Sequence, residues 1–451
     1  LQLREALQVR KGEVVSLVGA GGKTTAMYRL ARELTGQGWR VIATTTTKIR
    51  PPSLAQAQVL VIEHDSAQAL HYVAEALQHG GVVALAAERL ERENKLRGIQ
   101  PGLVTQLAGL AEAIIVEADG ARGRSLKAPA SYEPVVPADT TLLVPVVGID
   151  VVGSSLDEEM VHRPQLVSEL TGVACGGRIG TSIVSKLLVH ERGALKSVPA
   201  HSRVVPLINK VHHAAELEAA RQIAADIKGH TRLARVVIGA VADQDPILEC
   251  WRRVSAVVLA AGASKRLGSP KQLLDIAGSK MIERVLRALR GTSVDEIIVV
   301  LGYAAAQIAR YVPAWCRVVQ NANWEEGIAS SIRTGLAAVD RRAEAAMFIL
   351  ADQPNVGSQA MERILHAYYG SSKPIVVPVY QGRRGNPVLF DRCLFPALET
   401  LQGDVGGRQV LARFVGKTLA VEMPSAEVFF DIDTAEDYDL FRSKGEVQGD
   451  A

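Results

Sequence analysis

Short apolar, β-branched runs alternate along the chain with longer stretches whose apolar positions recur at helical spacing. In the first half the runs fall at 13–18, 39–43, 113–116, 141–147 and 203–208, with helices expected at 24–34 and 214–227. In the second half they fall at 254–260, 296–301, 317–320, 346–350, 374–379 and 427–430. This βαβ rhythm predicts the α/β class, built as two doubly wound parallel sheets. The stretch DQDPILECWRR separates the last run of the first half from a fresh strand, so domains are expected at 1–248 and 249–451. Each half is long enough to bury its own core. The closing SKGEVQGDA is polar and is expected to fray.

Hydrophobic residues at 48% and charged residues at 22% exclude a disordered or coiled-coil chain. Lys and Arg number 51 against 48 Asp and Glu, a balance that argues against nucleic-acid or membrane partners. The longest apolar runs, such as 141–149, are far shorter than the ~20 residues that span a bilayer. The opening LQLREALQVRKGE shows no apolar leader and no initiator Met, so a cytoplasmic protein with a trimmed or mis-assigned start is expected. Cys175, Cys250, Cys316 and Cys393 form no CxxC pair. That pattern fits a reducing compartment, with each thiol expected to be buried by packing.

In open parallel sheets, ligands bind at the carboxyl ends of the strands, so the chemistry should follow each run. After 13–18 comes GAGGKTT, with Gly19, Gly21, Gly22, Lys23, Thr24 and Thr25. Glycines let backbone amides converge on phosphate at a helix N-terminus, Lys23 would neutralise β/γ-phosphates, and the Thr24 hydroxyl would ligate Mg²⁺. Leu17 stands where a full Walker A loop needs glycine, so this is the shorter GxxGK[ST] form. Next come TTTTK (44–48), a run of hydroxyls with a cation, and EADGARGR, where Glu117 or Asp119 could hold the metal. Asn209-Lys210 is half of a guanine-reading N-K-x-D pattern or else a solvated strand end, and His212 stands where the acid would be. His212-His213 reads as a polar helix start rather than a metal site. Arg122, Arg124 and Lys127 form either an ordinary basic loop or an anion-facing one.

Taken together, GAGGKTT, TTTTKI, EADGARGRSLKAP, EPVVP and LINK resemble the YqeC family of accessory proteins for selenium-dependent molybdenum hydroxylases, over about residues 1–245. The resemblance implies a P-loop-like domain that binds ATP or GTP, and a client molybdenum hydroxylase as partner.

After 254–260 comes LAAGASKRLGSPKQLL, in which Arg266 lies four residues after Gly262 and Lys271 five after that. Gly262 lets the backbone approach a triphosphate, Arg266 can clamp phosphates bidentately, and Lys271 can reach the α-phosphate, where charge builds as pyrophosphate leaves. Asp352 follows the run 346–350 and Asp433 follows 427–430, so two strand ends could share one Mg²⁺; a helix cap is the plainer role for Asp433. GRRGNPVLF and GDVGGR supply glycine and cationic positions suited to an acceptor. In NWEEGIASSIRTGL, Gly327, Ser331 and Gly335 are expected along one helix, packing closely beside the nucleotide.

LAAGxSxRxGxxKQLL, ADQP, GNPVLF, GDxGxR and DIDTxED resemble the molybdenum cofactor cytidylyltransferases among the MobA-like nucleotidyltransferases, over about residues 253–441. The resemblance implies a Rossmann-like domain that moves CMP from CTP to molybdopterin cofactor. Carried over by position, Leu259, Ala260, Ala261, Gly262, Ser264, Arg266 and Lys271 would bind the nucleotide, with Arg266, Lys271 and Asp352 catalytic. Asp352 and Asp433 would hold Mg²⁺ in this half, as Thr24 and Asp119 would in the first. Guanylyl-transferring relatives carry LAGG, so Ala261 favours cytosine. Leu267 replaces the usual Met, and Asn386 the frequent His of G-H-P-V. Three readings stand at this point. The first is a fused cytidylyltransferase; the second keeps the fold with another acceptor or GTP; the third is a nucleotide-gated chaperone that inserts cofactor into a hydroxylase.

Overall fold

The computed structural model describes residues 1–264 and 267–446. The architecture is mixed α/β, with two compact units, Leu1–Trp251 and Arg252–Ala451. Among the described residues, no helix is long and apolar enough to cross a membrane.

In the first unit, strand Glu13–Gly19 is buried for nearly its whole length and lies at the centre of a ten-stranded sheet. Leu142–Gly148 pairs with it on one side and Ala113–Glu117 on the other, both parallel. Beyond Ala113–Glu117 come Val41–Thr45, Val82–Ala86 and Val59–Ile62, again parallel. Strand side chains alternate between faces, so a sheet covered on both sides needs apolar residues throughout. Val15 and Leu17 accordingly join one core with Ala26 and Leu30 of helix Lys23–Thr35. Val14 joins a second core with Ala69 and Val73 of helix Ser66–Gln78.

Two expectations change here. The run 203–208 is broken into Arg203–Val204 and Leu207–Asn209, because Pro206 has no amide hydrogen for the ladder. The segment taken as a linker contains strand Ile247–Trp251, which closes the sheet antiparallel to Val236–Gly239. Its Glu249 disguises it as polar, yet that carboxylate is buried, accepting from Arg221 Nε at 2.9 Å and Trp251 Nε1 at 2.7 Å.

In the second unit, strand Val254–Ala260 pairs parallel with Glu296–Leu301 and Ala345–Leu350. Arg317–Gln320 extends the sheet on one side. On the other side the sheet is not purely parallel: Val388–Asp391 runs antiparallel between Ala345–Leu350 and Ile375–Tyr380. The chain turns back through the short strand Arg383–Arg384, which returns it in that direction. The expected strand at 427–430 is also corrected. Ala426–Phe429 is a 3₁₀ turn, and the alternating TLAVE of Thr418–Glu422 forms the strand, parallel to Ile375–Tyr380. Helix Ile328–Ala338 packs on this sheet through Ala329, Ile332 and Leu336.

Cysteine burial departs from expectation: Cys250 is buried, Cys316 is half-buried, and Cys175 and Cys393 are exposed.

Candidate functional site

The neighbours of strand Val254–Ala260 come from later and opposite parts of the winding, so its carboxyl end is a switch point where a crevice opens. A cleft of about 890 Å³ lies there, lined by Leu259, Ala261, Gly262, Lys271, Trp324 and Asp352, among others. Lys271 begins a 3₁₀ turn, Lys271–Leu273, and its amide donates to Ser264 Oγ at 3.1 Å. Ser264 therefore fixes the backbone of Lys271 to the glycine loop. The Lys271 ammonium donates to the Asp352 carboxylate and, at 3.1 Å, to Asp433 Oδ1. Burial opposes its charge, but Asp352 and Asp433 outweigh that effect and raise its pKa above the ordinary lysine value. Arg266 lies outside the described residues.

Asp433 is not a simple helix cap. Thr434 and Asp437 share that work, Asp437 N donating to Thr434 Oγ1 at 3.1 Å and Thr434 N to Asp437 Oδ2 at 2.9 Å. Asp433 is left to meet Lys271. Among the described residues, no group of three or more metal-binding side chains forms. Two carboxylates suit a hard, oxygen-loving cation that completes its shell with substrate phosphates and water. Asp352 Oδ1 is buried without a hydrogen-bond partner, so the donor set fits Mg²⁺.

Two glutamines support this arrangement, and neither was singled out in the sequence. Gln272, 2% exposed, donates from Nε2 to Ala260 O at 3.2 Å and Gly262 O at 3.4 Å, bracing the loop. Gln353, also 2% exposed, donates to Asp431 Oδ1 at 2.6 Å, while Ile432 N donates to Asp352 O at 3.2 Å. These bonds couple the two acid-bearing segments. The Gln beside each charged residue in KQ and DQ was the available signal, but glutamine has no chemistry of its own to mark it.

Gly327 caps helix Ile328–Ala338 rather than lying within it. Ser331 lines the cleft and, with Ser330, accepts from Asn321 Nδ2. Gly335 marks a close approach: a Cβ there would lie 2.4 Å from Val257 Cγ1. In GDVGGR, Gly403 O accepts from Ala329 N at 3.2 Å and Asp404 lines the cleft, whereas Arg383 and Arg384 are exposed.

In the first unit the GAGGKTT loop follows the central strand and leads into helix Lys23–Thr35. Gly21 is required: its φ is +85° and a Cβ would meet Gly148 N at 2.1 Å. Thr24 Oγ1 donates to Glu117 Oε2 at 2.7 Å, so the loop hydroxyl is paired with Glu117 and not with Asp119. Glu117 is buried, which raises its pKa; Lys23 and the Thr24 bond only partly offset this. Asp119, 2% exposed, accepts from Gly19 N at 3.1 Å and lies 3.3 Å from Lys23 Nζ and 3.0 Å from Lys127 Nζ. Lys23 also donates to Gly19 O at 2.6 Å. Thr25 is exposed on the helix. A cavity of about 30 Å³ below the loop, lined partly by Gly19, Asp119 and Lys127, has room for water rather than for a nucleotide.

Lys127 is no open-loop cation; it is buried between Asp119 and Glu133, the latter 2.8 Å away. The hydroxyls of TTTT do not stand free either: Thr44, Thr45 and Thr46 donate to the carbonyls of Leu85, Glu117 and Val135. Asn209 is not solvated. It is 3% exposed, donates to Gly21 O at 2.8 Å and accepts from Val241 N at 2.9 Å, which holds the GAGGKTT loop. His213 caps helix Ala214–Ile227, and His212 lies 3.2 Å from Asp243.

Family comparison follows the same division. Residues 15–165 match the YqeC protein family and residues 256–419 the MobA-like NTP transferase domain. The uncharacterized protein YqeC of Escherichia coli strain K12 is 30% identical over 223 residues, covering 49% of this chain and 85% of that protein. Nicotine blue oxidoreductase of Paenarthrobacter nicotinovorans is 32% identical over 196 residues, covering 41% of this chain and 93% of that one. Molybdenum cofactor cytidylyltransferase of E. coli K12 is 25% identical over 189 residues, with coverage of 41% and 93%. The chain thus belongs to the YqeC family through its first unit and to the MobA-like nucleotidyltransferases through its second.

Proposed function

We propose that the second, Rossmann-like unit transfers CMP from CTP to the terminal phosphate of molybdopterin cofactor, and that the first is a P-loop-like accessory module that binds ATP or GTP. The observation that carries the reading is the meeting of Lys271, Asp352 and Asp433 at the mouth of the cleft. A loop that approaches phosphate, a cation for the α-phosphate and two acids from other segments are what this transfer needs.

The acceptor phosphate is already ionised near neutral pH, so no protein nucleophile or base has to activate it. Its oxygen bonds to the α-phosphorus of CTP while the bond to the β-phosphate oxygen breaks and pyrophosphate leaves. Leu259, Ala260, Ala261, Gly262 and Ser264 shape the nucleotide loop, and Gln272 holds it in place. Lys271, with Arg266, stabilises charge on the transferring phosphoryl and on pyrophosphate. Asp352 and Asp433 would hold Mg²⁺, which supplies positive charge to the phosphates when bound. In the first unit Gly19, Gly21, Gly22, Lys23, Thr24 and Thr25 form the phosphate loop. Glu117, bonded to Thr24, joins Asp119 as a candidate for the Mg²⁺ there.

The test is pyrophosphate release from CTP or GTP with molybdenum-loaded molybdopterin, comparing wild type with Asp352→Ala. Release with CTP, lost by at least about a hundredfold in the mutant, is the expected result. Release with GTP would overturn the base assignment. A different acceptor keeps some support, because the 32% identical relative is named for nicotine blue and not for molybdenum cofactor. Release with neither nucleotide, from folded protein, would favour that reading.

A further inference from the structure

Lys271 stands where a cation would have to go. Its side chain is 17% exposed, and the carboxylates it joins, on Asp352 and Asp433, are 14% and 38% exposed. The ammonium leaves Asp352 Oδ1 buried with no hydrogen-bond partner, a donor atom that suits a divalent ion. A divalent ion and an ammonium cannot both occupy the space between two carboxylates, because their repulsion in a partly desolvated cleft is large. The lysine has somewhere else to go. Its backbone is fixed to Ser264 and hence to the glycine loop, while its four-carbon stem can swing into the cleft that it lines.

We propose that Lys271 is the resting occupant of the divalent-cation site, holding Asp352 and Asp433 together until nucleotide phosphate draws its ammonium away. Cation and nucleotide then bind cooperatively: phosphates give Lys271 a new partner, and its departure vacates the space between the two acids for the ion. The inference rests on the reading of this cleft as a metal-nucleotide site. Without nucleotide the ion has to displace the ammonium unaided, so the free protein binds it weakly. Linkage requires the reverse effect to be equal, the ion raising nucleotide affinity by the same factor.

The experiment measures Mn²⁺ binding to the full chain by the resonance signal of the free ion, with and without CTP. Lys271→Gln should bind Mn²⁺ alone roughly tenfold more tightly than wild type, within the usual range of couplings between sites. CTP should raise Mn²⁺ affinity by a smaller factor in that variant. Lys271→Arg, which keeps the charge, should bind the ion alone as weakly as wild type and serves if the glutamine variant misfolds. Lys280→Gln controls for general charge, since Lys280 pairs with Asp275 at 3.7 Å, and should leave Mn²⁺ affinity unchanged. Equal or weaker binding by Lys271→Gln overturns the inference, as does equal strengthening by Lys280→Gln. If wild type binds Mn²⁺ only with CTP and Lys271→Gln gains nothing, the cleft reading survives and the lysine's role falls. If Mn²⁺ does not bind wild type even with CTP, both fall.

Discussion

His162 and Glu133 both feel the charges of Lys127 and Arg163, yet acid acts on them in different pH windows. Burial first, then the Arg163 and Lys127 charges, push the His162 imidazole from 6.5 down to about 4. As pH falls through that interval the unfolded chain takes up a proton that the folded chain refuses, so stability drops. His162→Asn is therefore expected to flatten the melting temperature between pH 6.5 and 4, and an unchanged slope would contradict the assignment. Glu133 is opposed by burial, but its bonds from Arg163 and Lys127 hold it at about 2, below the ordinary 4.5. Its contribution is complete above 4.5 and lost as pH falls towards 2. Glu133→Gln should remove that lower acid limb. At neutral pH it should cost about 3 kcal/mol in denaturant titration, because it breaks a buried pair and leaves Lys127 short of charge.

Helix Ile328–Ala338 and strand Val254–Ala260 approach so closely that a side chain at Gly335 has nowhere to go. Alanine would improve helix propensity by up to about 1 kcal/mol. Its Cβ would nevertheless lie 2.4 Å from Val257 Cγ1 and 3.0 Å from Val300 Cγ2, on β-branched side chains with little freedom to move. Overpacking wins, and Gly335→Ala should destabilise the second unit by about 1–2 kcal/mol in thermal melts. A stabilised variant would show that this contact is looser than described. Elements also decided which sequence signals were legible. Strands 254–260, 296–301 and 317–320 were read to their ends because each carries adjacent β-branched residues, Val257-Val258, Ile297-Ile298 and Val318-Val319. Ile247–Trp251 was missed because Glu249 interrupts it; bonds from Trp251, two positions along, and from Arg221, which folding brings in, help that charge lie in a buried strand.

At the scale of the molecule, each unit has its own hydrophobic clusters and its own glycine-loop lysine resting on its own acids. Chains 1–251 and 252–451, expressed separately, should each melt in one cooperative transition, and a fragment that does not would rule out independent folding. Lys23→Ala should abolish nucleotide binding by the first unit while leaving pyrophosphate release by the second intact; parallel loss of both would tie the two chemistries together. The α/β rhythm, the two glycine loops and the placing of Asp119 and Asp352 after strands were set by local sequence, because period, turn chemistry and residue type act over a few positions. Folding alone decided that Thr24 meets Glu117 and that Asn209 braces Gly21. It also decided that Lys271 lies between Asp352 and Asp433, which are 81 and 162 positions away in the chain. Such contacts follow from strand order, and strand order is set by how helices cover the two faces of each sheet, a balance of packing that no local pattern carries.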